Sequence, residues 1–265
     1  MLYFPQLLTG AMAQYPLKRK RVGRVALNVS PGGEEVKLWD PEDERLEWEL
    51  HLSGLTDAEW GAIEGLFHAC EGSLQAFCFL DPTSNLLAWS GDLSRTVWRR
   101  DAQLAVSSGS PDPFGGNQAT RLVNTGQTEQ TLSQALDVPA GFHHCFSIYV
   151  RGAGGRVKLR QWSSSRSTAT EFELRNSWRR ISHSATLGGS ETRVHFGVVV
   201  PAGGSVDVYG PQVEPHRGAS DYKETRERGG IYPNTRFASD ELRVRSEGVD
   251  SHASVIRIAT SLKQS

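Results

Sequence analysis

Apolar and polar residues alternate with a period of two along much of the chain, which is the pattern of β-strands with one buried face. Residues 45–52 show it most clearly, because Leu46, Trp48 and Leu50 fall on one side and charged residues on the other. From residue 145 onward, short alternating segments recur between turns rich in glycine, serine and proline. These segments are predicted as strands at 145–150, 157–162, 171–174, 178–182, 193–200 and 205–209.

One segment has helical spacing instead. Thr56 is followed three residues later by Glu59, which predicts a capping box at a helix start. Ile63 and Leu66 then recur at the helical period, and Gly72 is placed to end the helix. The apolar run at 74–80 is short and ends at a proline-containing turn, so it is predicted as a buried strand.

The pattern of predicted elements changes near residue 85 and again near residue 226, which indicates two domains. Residues 85–226 contain only short strand candidates and turns, and they predict a β-sandwich of the jelly-roll kind. Two alternating segments at 242–245 and 254–258 form a predicted hairpin, too small to fold alone. We expect them to pair with the strands at 45–52 and 74–80. Residues 1–35 are predicted to be irregular.

The expected fold class is therefore all-β, mainly strand with one helix. A discontinuous outer domain would comprise residues 1–84 and 227–265, and the sandwich at 85–226 would be inserted into it.

Composition narrows the classes of partner. The formal net charge of −1 gives no reason to expect nucleic acid as a partner. No apolar run approaches the roughly 18 residues that a membrane span needs. The N-terminus has no basic leader, so no signal peptide is expected and the chain should fold in the cytosol. The three cysteines form no disulfide or zinc pattern and are predicted to be small buried side chains.

The motifs of catalysis are absent from the sequence. There is no phosphate-binding glycine loop, no HExxH and no GxSxG, so the protein is not expected to be an enzyme and no cofactor is expected. Asp207 and Glu214 lie in the predicted sandwich and are the candidate carboxylate pair for glycosidase chemistry, although their spacing in the sequence does not give their distance. Asp207 has two other interpretations, a structural calcium ligand or a solvent-facing strand residue.

Aromatic side chains on strands give the best indication of a binding site. Sugars stack their apolar faces on such rings, and polar neighbours hold their hydroxyl groups. Most rings of a sandwich belong to its core, but Trp162 shares its face with Lys158 and Arg160 and is expected to be exposed. The predicted glycan-binding residues are Trp162, Arg160 and Tyr149, with Gln161 as a further polar neighbour.

The middle of the chain resembles a known module. NLLAWSGDLSRTVW at 85–98, VDVYGPQVE at 206–214 and the YxxT sequence at 222–225 resemble the carbohydrate-binding-module-like, galactose-binding-like sandwich common in bacteriophage tail proteins. In this resemblance, the first two stretches are the opening and closing strands of the module.

The outer part resembles a second family. YFPQLLTGAMAQYPLKRKR, LTDAEW and FLDP are similar to the start of distal tail or tail-tip proteins of long-tailed phages and gene transfer agents. The resemblance implies a tail-tube-like β domain that forms a ring, commonly a hexamer, at the end of the tail tube. It implies a location in the virion tail, other tail proteins as partners, and no catalytic residue.

A basic cluster near the N-terminus suggests a subunit contact. It has three other interpretations: a phosphate contact, a targeting signal or a solvated loop. In a ring, we expect it to meet an acidic strand face of the neighbouring subunit. The predicted interface residues are Lys18, Arg19, Lys20, Arg21, Glu47 and Glu49.

These observations leave three functional hypotheses. The first is a structural protein of a phage tail tip, whose sandwich contacts host surface glycans or neighbouring tail proteins. The second is a stand-alone glycan-binding, lectin-like protein. The third is a glycoside hydrolase.

Overall fold

The computed structural model describes residues 1–262, with residues 41–43 described by their backbone alone. Within this range the chain is nearly all β, with several antiparallel sheets and one helix, which confirms the predicted fold class. The elements, in chain order, are β1 (Leu17–Val29), β2 (Glu35–Leu55), α1 (Asp57–Ala69), β3 (Phe77–Leu80), β4 (Arg99–Arg100), β5 (Leu104–Ser110), β6 (Ala119–Asn124), β7 (Gln130–Leu136), β8 (His143–Arg151), β9 (Arg156–Trp162), β10 (Ser167–Glu173), β11 (Arg179–Thr186), β12 (Val194–Val200), β13 (Ser205–Glu214), β14 (Ile231–Phe237), β15 (Arg245–Gly248) and β16 (Ser251–Ser261).

The described chain divides into two compact units. Unit 1 contains Met1–Leu8, Met12–Phe79 and the chain from Tyr232 onward. Unit 2 contains Thr9–Ala11 and Leu80–Ile231.

Unit 1 is built on one antiparallel sheet with the strand order β1-β2-β16-β14-β3. Strand β16 pairs with β2 from His252 opposite Leu55 to Ser261 opposite Arg45, which confirms the expected pairing of 254–258 with 45–52. The predicted hairpin is formed by β15 and β16. Its first strand begins at Arg245, so most of the predicted strand at 242–245 lies outside it.

Two strands of this sheet were not predicted. Residues 17–29 form β1, so the prediction that residues 1–35 are irregular is wrong. The four consecutive basic residues at 18–21 hide the alternation of β1 in the sequence. The strand forms nevertheless, because it pairs with β2 along its length. Strand β14 lies between β16 and β3, so β3 pairs with β14 and not with the predicted hairpin.

The helix forms where the sequence predicts it. The backbone N–H of Glu59 donates to the Thr56 hydroxyl at 3.2 Å, and the Glu59 carboxylate accepts from the Thr56 N–H at 3.0 Å. This capping box satisfies donors that the first turn leaves unpaired. Ile63 and Leu66 are buried, and Phe67 contacts Phe237 of β14 with ring centroids 5.1 Å apart.

The inward face of β2 forms the centre of the unit 1 core. Trp48 is buried and lies edge-on to Phe79 of β3 at 5.1 Å and against Tyr232 of β14 at 5.0 Å. The predicted alternation at 45–52 is confirmed, because Leu46, Leu50 and Leu52 are also buried.

Unit 2 is a sandwich of two five-stranded antiparallel sheets. The strand orders are β10-β9-β12-β7-β4 and β11-β8-β13-β6-β5, and we call them the β9 sheet and the β8 sheet. Phe146 of β8 and Phe196 of β12 meet in the interior, with ring centroids 6.2 Å apart. All six strands predicted between residues 145 and 209 are present, with ends shifted by a few residues.

The segment at 85–98 was expected to open the sandwich with a strand, and this is wrong. It consists of turns and bends, and the buried side chain of Asn85 attaches it to β13. The Asn85 amide donates to the Pro211 carbonyl at 2.9 Å and accepts from the Val213 N–H at 3.0 Å. These bonds replace the ladder that a strand would make.

The three cysteines are buried, as predicted, and no disulfide links them. Among the described residues, no helix has the length and apolar character to cross a membrane.

Removal of the cap at the start of α1 gives a direct test of this account. We expect Thr56→Ala to lower the free energy of unfolding by about 1 kcal/mol, because the Glu59 N–H loses its acceptor. Urea denaturation measures the change. Glu64→Ala, on the exposed side of the same helix, is the control and should have a smaller effect. An unchanged midpoint for Thr56→Ala would contradict the cap.

Candidate ligand-binding face

The register of three neighbouring strands aligns side chains on the outer surface of the β8 sheet. Phe146, Ile148 and Val150 of β8 are buried on the inner side, so the residues between them point outward. Tyr149 lies opposite Arg180 of β11 on one side and opposite Tyr209 of β13 on the other. These three side chains therefore form one row across the sheet.

A loop after β5 places a third ring over this row. The buried carboxylate of Asp112 accepts the backbone N–H groups of Phe114, Gly116 and Gln118 at 2.8, 3.0 and 3.1 Å. Burial alone would raise the pKa of Asp112, but the three N–H donors outweigh it and the pKa is lowered. The ionised carboxylate therefore fixes the loop that carries Phe114.

The three rings contact one another. Phe114 lies edge-on to Tyr149 at 5.7 Å and to Tyr209 at 5.8 Å, and the two tyrosines are 6.2 Å apart. Phe114 is 68% exposed, while both tyrosines are half-buried. We call Phe114, Tyr149 and Tyr209, together with Arg180, the aromatic face.

A bulge in β13 gives Tyr209 its support. The register with β8 shifts between Tyr209 and Gln212, and Gly210 adopts a φ of +61° there. A Cβ on Gly210 would lie 3.0 Å from the ring of Tyr222, so the close approach requires glycine. Tyr222 packs edge-on to Tyr209 at 5.4 Å, and its hydroxyl is 2.9 Å from that of Ser90.

Arg180 lies beside these rings. Its guanidinium carbon is 5.4 Å from the centroid of Tyr149, within the range of a cation–π contact. One terminal nitrogen donates to the Ser147 hydroxyl at 2.9 Å. Its Nε is buried and has no hydrogen-bond partner in the described part of the chain.

Asp207 belongs to the next row of the sheet. Its carboxylate accepts from Arg121 at 2.7 Å and from Arg151 at 2.8 Å, and Arg151 also lies over the ring of Trp178. Burial opposes ionisation, but the two guanidinium groups lower the pKa of Asp207. Two cationic partners leave no place for a calcium ion, so the structure favours an ion pair over the predicted calcium ligand. No metal-binding cluster occurs among the described residues.

Glu214, at the end of β13, is fully buried. Its carboxylate accepts from the Ser220 N–H at 3.0 Å and lies 3.2 Å from the Lys223 ammonium and 3.4 Å from His216. Burial alone would raise the pKa of Glu214, but hydrogen bonds from His216 and Ser220 outweigh it and lower the pKa from 4.5 to about 2. This group therefore fixes residues 216–223 beside the aromatic face.

The structure separates the three residues predicted to bind glycan. Tyr149 is on the outer surface of the β8 sheet, whereas Trp162 and Arg160 are on the outer surface of the β9 sheet. Trp162 shares a face with Lys158 and Arg160, as predicted, but its ring stacks on His195 at 5.0 Å. Gln161 points into the interior and donates to backbone carbonyls, so its proposed role beside Arg160 is wrong.

The predicted interface residues lie in unit 1. Lys18 pairs with Glu49 at 2.8 Å inside one chain, and Glu49 also accepts from His51 at 2.7 Å and Arg257 at 2.9 Å. Hydrogen bonds from Lys18, Arg257 and His51 lower the pKa of Glu49 to about 2. Of this basic cluster, Lys18 thus pairs with the Glu49 of its own chain, whereas the prediction pairs the cluster with Glu47 and Glu49 of a neighbour. The role of the cluster at an interface stays a prediction.

Three residues of the aromatic face, Phe114, Tyr209 and Arg180, were not predicted as site residues. Phe114 lies in PDPFGG, where an aromatic residue between proline and glycine is a signal of an exposed ring on a turn. Arg180 follows Trp178 in a strand whose partner the sequence does not reveal. Their positions beside Tyr149 depend on loop geometry and register.

No family model matches the chain. A search of curated proteins also gave no match.

Solved structures match the chain in part. The C-terminal family 22 carbohydrate-binding module of Clostridium thermocellum Xyn10B is 15% identical, covers 53% of this chain and 98% of its own length, and has a TM-score of 0.43. The xylan-binding domain of Paenibacillus barcinonensis Xyn10C is 16% identical, with coverages of 51% and 96% and a TM-score of 0.41. The enzymatically active domain of bacteriophage CBA120 tailspike protein 4 is 11% identical, with a TM-score of 0.41, and the match covers 51% of this chain but only 22% of that domain.

The ionisation of Glu214 predicts a pH dependence. Its folded pKa of about 2 is below the ordinary 4.5, so its contribution to stability is present above about pH 5 and is lost as the pH falls toward the folded value. We expect unfolding free energy to fall more steeply over this window in the wild type than in Glu214→Gln. Denaturation at a series of pH values measures both slopes, and equal slopes would show that the folded pKa is not lowered.

Proposed function

We propose that unit 2 is a glycan-binding module and that the aromatic face is its binding site. The observation that carries the proposal is the cluster of Phe114, Tyr149 and Tyr209 on the outer surface of the β8 sheet. A monomeric sandwich gains little from an exposed phenylalanine, and the Asp112 carboxylate nevertheless fixes this one in place.

The chemistry of the face suits a sugar. Aromatic rings provide apolar surfaces for the C–H groups of a pyranose, and the tyrosine hydroxyls and Arg180 provide hydrogen bonds to its substituents. Ser182, next to the row, adds an exposed hydroxyl. The preformed geometry reduces the loss of conformational entropy on binding.

The pKa values of the two candidate glycosidase carboxylates favour a binding protein over a hydrolase. A general acid needs a raised pKa, but the pKa values of Asp207 and Glu214 are both lowered by their partners. Glu214 is also fully buried. Neither is suited to protonate a leaving group, and we propose that the protein is not an enzyme.

Truncation of the exposed ring tests this site. We expect Phe114→Ala to weaken binding of a glycan identified on an oligosaccharide array by about tenfold, because a stacking surface is lost. Isothermal titration of the full chain measures the affinity. Stability should change little, since the ring is mostly exposed.

Trp162→Ala is the matched control, because it removes a ring from the outer surface of the opposite sheet. If Trp162→Ala abolished binding and Phe114→Ala did not, the site would lie on the β9 sheet, beside the predicted residues Trp162 and Arg160.

We infer a second function for unit 1, that of a ring-forming structural component of a phage tail tip. The observation that supports it is the distal part of the β1–β2 hairpin, residues 22–40, which we call the arm. Six of its apolar side chains, distributed over both faces, are at least half exposed: Val25 (53%), Leu27 (50%), Val29 (60%), Val36 (53%), Leu38 (54%) and Trp39 (56%).

The register of the arm places these side chains on its two opposite faces. Val25 faces the same way as Trp39, whose ring lies over Gly23, while Leu38 and Ala26 face the other way. A two-stranded ribbon with apolar groups on both faces is marginal in water. Strand β1 also forms an edge of the sheet, which offers its backbone groups to another strand.

Identical subunits that each cover the arm of the next form a closed ring where the rotation between neighbours closes, and we propose that it does so here. The ring would lie at the end of a tail tube in the virion and contact other tail proteins there. The sandwich would then contact host surface glycans.

A charge on the arm tests self-association. We expect Val25→Glu to weaken it at least about tenfold, because a carboxylate must be desolvated in the contact. Sedimentation velocity of the full chain gives the assembly state. Val249→Glu is the control, since Val249 is 100% exposed at the β15–β16 turn, outside the arm. A wild-type chain that stays monomeric at high concentration would refute the ring.

A further inference from the structure

We propose that the ligand of the aromatic face is an acidic glycan, whose carboxylate binds the guanidinium of Arg180. This inference rests on the proposed glycan-binding function and adds the chemical class of the ligand. It follows from the charges around the face and from their partners.

Three of the negative groups next to the aromatic face are already used within the protein. Asp207 forms ion pairs with Arg121 and Arg151, and Glu214 forms one with Lys223. Asp112 accepts three backbone N–H groups. None of these three carboxylates is directed at a ligand. A fourth, the exposed carboxylate of Glu224, is also near, since burial and the charges of Asp112 and Glu224 raise the pKa of Tyr209.

The positive groups are not all used. Arg121 and Arg151 share one carboxylate, and Arg180 has no carboxylate partner among the described residues. Its only hydrogen bond to a side chain in that range goes to the Ser147 hydroxyl, which is neutral. The guanidinium of Arg180 is therefore available to an anionic ligand.

Arg180 is held in place without being neutralised. Its guanidinium is 5.4 Å from the Tyr149 centroid, its terminal nitrogen donates to Ser147, and the side chain is half-buried. The buried Nε has no partner, so part of the hydrogen-bonding capacity of the group is unsatisfied. A half-buried cation interacts more strongly with an anion than an exposed one does.

The geometry of the guanidinium favours a carboxylate over a hydroxyl. Its planar N–H groups match the two oxygens of a carboxylate, and hydrogen bonds between ionised groups are about twice as strong as neutral ones. A uronic or sialic acid residue provides this anion next to a pyranose ring. The ring would lie on Phe114 and Tyr149, and its carboxylate would reach Arg180.

The experiment compares ligands that differ only in charge. Trigalacturonic acid and 3′-sialyllactose are titrated into the full chain, each beside its methyl ester, which keeps the sugar and removes the negative charge. A sulfated neutral oligosaccharide is the third arm, because sulfate is another anion that arginine binds. Neutral xylo- and galacto-oligosaccharides complete the panel.

We expect at least one carboxylated sugar to bind, with a loss of about tenfold or more on esterification. Arg180→Gln should cause a similar loss for the acid and no loss for the ester. Arg160→Gln is the matched control, since Arg160 lies 5.1 Å from the Trp162 ring on the other sheet, and it should bind as the wild type does. Near-ultraviolet circular dichroism checks that each variant keeps its fold.

The outcomes separate the two proposals. Equal binding of acids, esters and neutral sugars, abolished by Phe114→Ala, would overturn the acidic class and leave the glycan site intact. Binding of the sulfated sugar alone would overturn the carboxylate. If no sugar of the panel binds, both proposals fail.

Discussion

The register between β8 and its two neighbours is the constraint on which the outer surface of unit 2 depends. It places Arg180, Tyr149 and Tyr209 in one row because Phe146, on the same strand, must fill the interior against Phe196. A slip of one residue would turn every side chain to the opposite face. The packing of the core thus determines which groups meet solvent, and the aromatic face is a consequence of that packing.

Buried carboxylates convert this row into a fixed surface. Asp112 holds the loop of Phe114, Asp207 positions Arg151, and Glu214 holds the segment before Tyr222. Each is ionised because donors surround it, although burial works against the charge. The face is therefore arranged before any ligand arrives, and the charge of Arg180 is left over once these pairs are complete.

The sequence predicts most elements whose signal is local. The capping box of Thr56 and the alternation at 45–52 are local, and the structure confirms both. The sequence does not reveal strand β1, because its basic run conceals the alternation. It wrongly predicts a strand at 85–98, because the side-chain bonds that attach Asn85 to β13 join residues far apart in the sequence. The prediction of the binding site was limited for the same reason. The sequence analysis groups Tyr149 with Trp162 in one site, but the two side chains belong to different sheets, which only strand order and register reveal.

The buried thiols have a practical consequence. Cys70 and Cys78 report on unit 1 and Cys145 on unit 2, since each is covered in the folded chain. A thiol-reactive reagent will modify each only when its surroundings open, so the rate of labelling at each position measures the local opening free energy. Mass spectrometry of the labelled peptides will show whether the two units open together or independently.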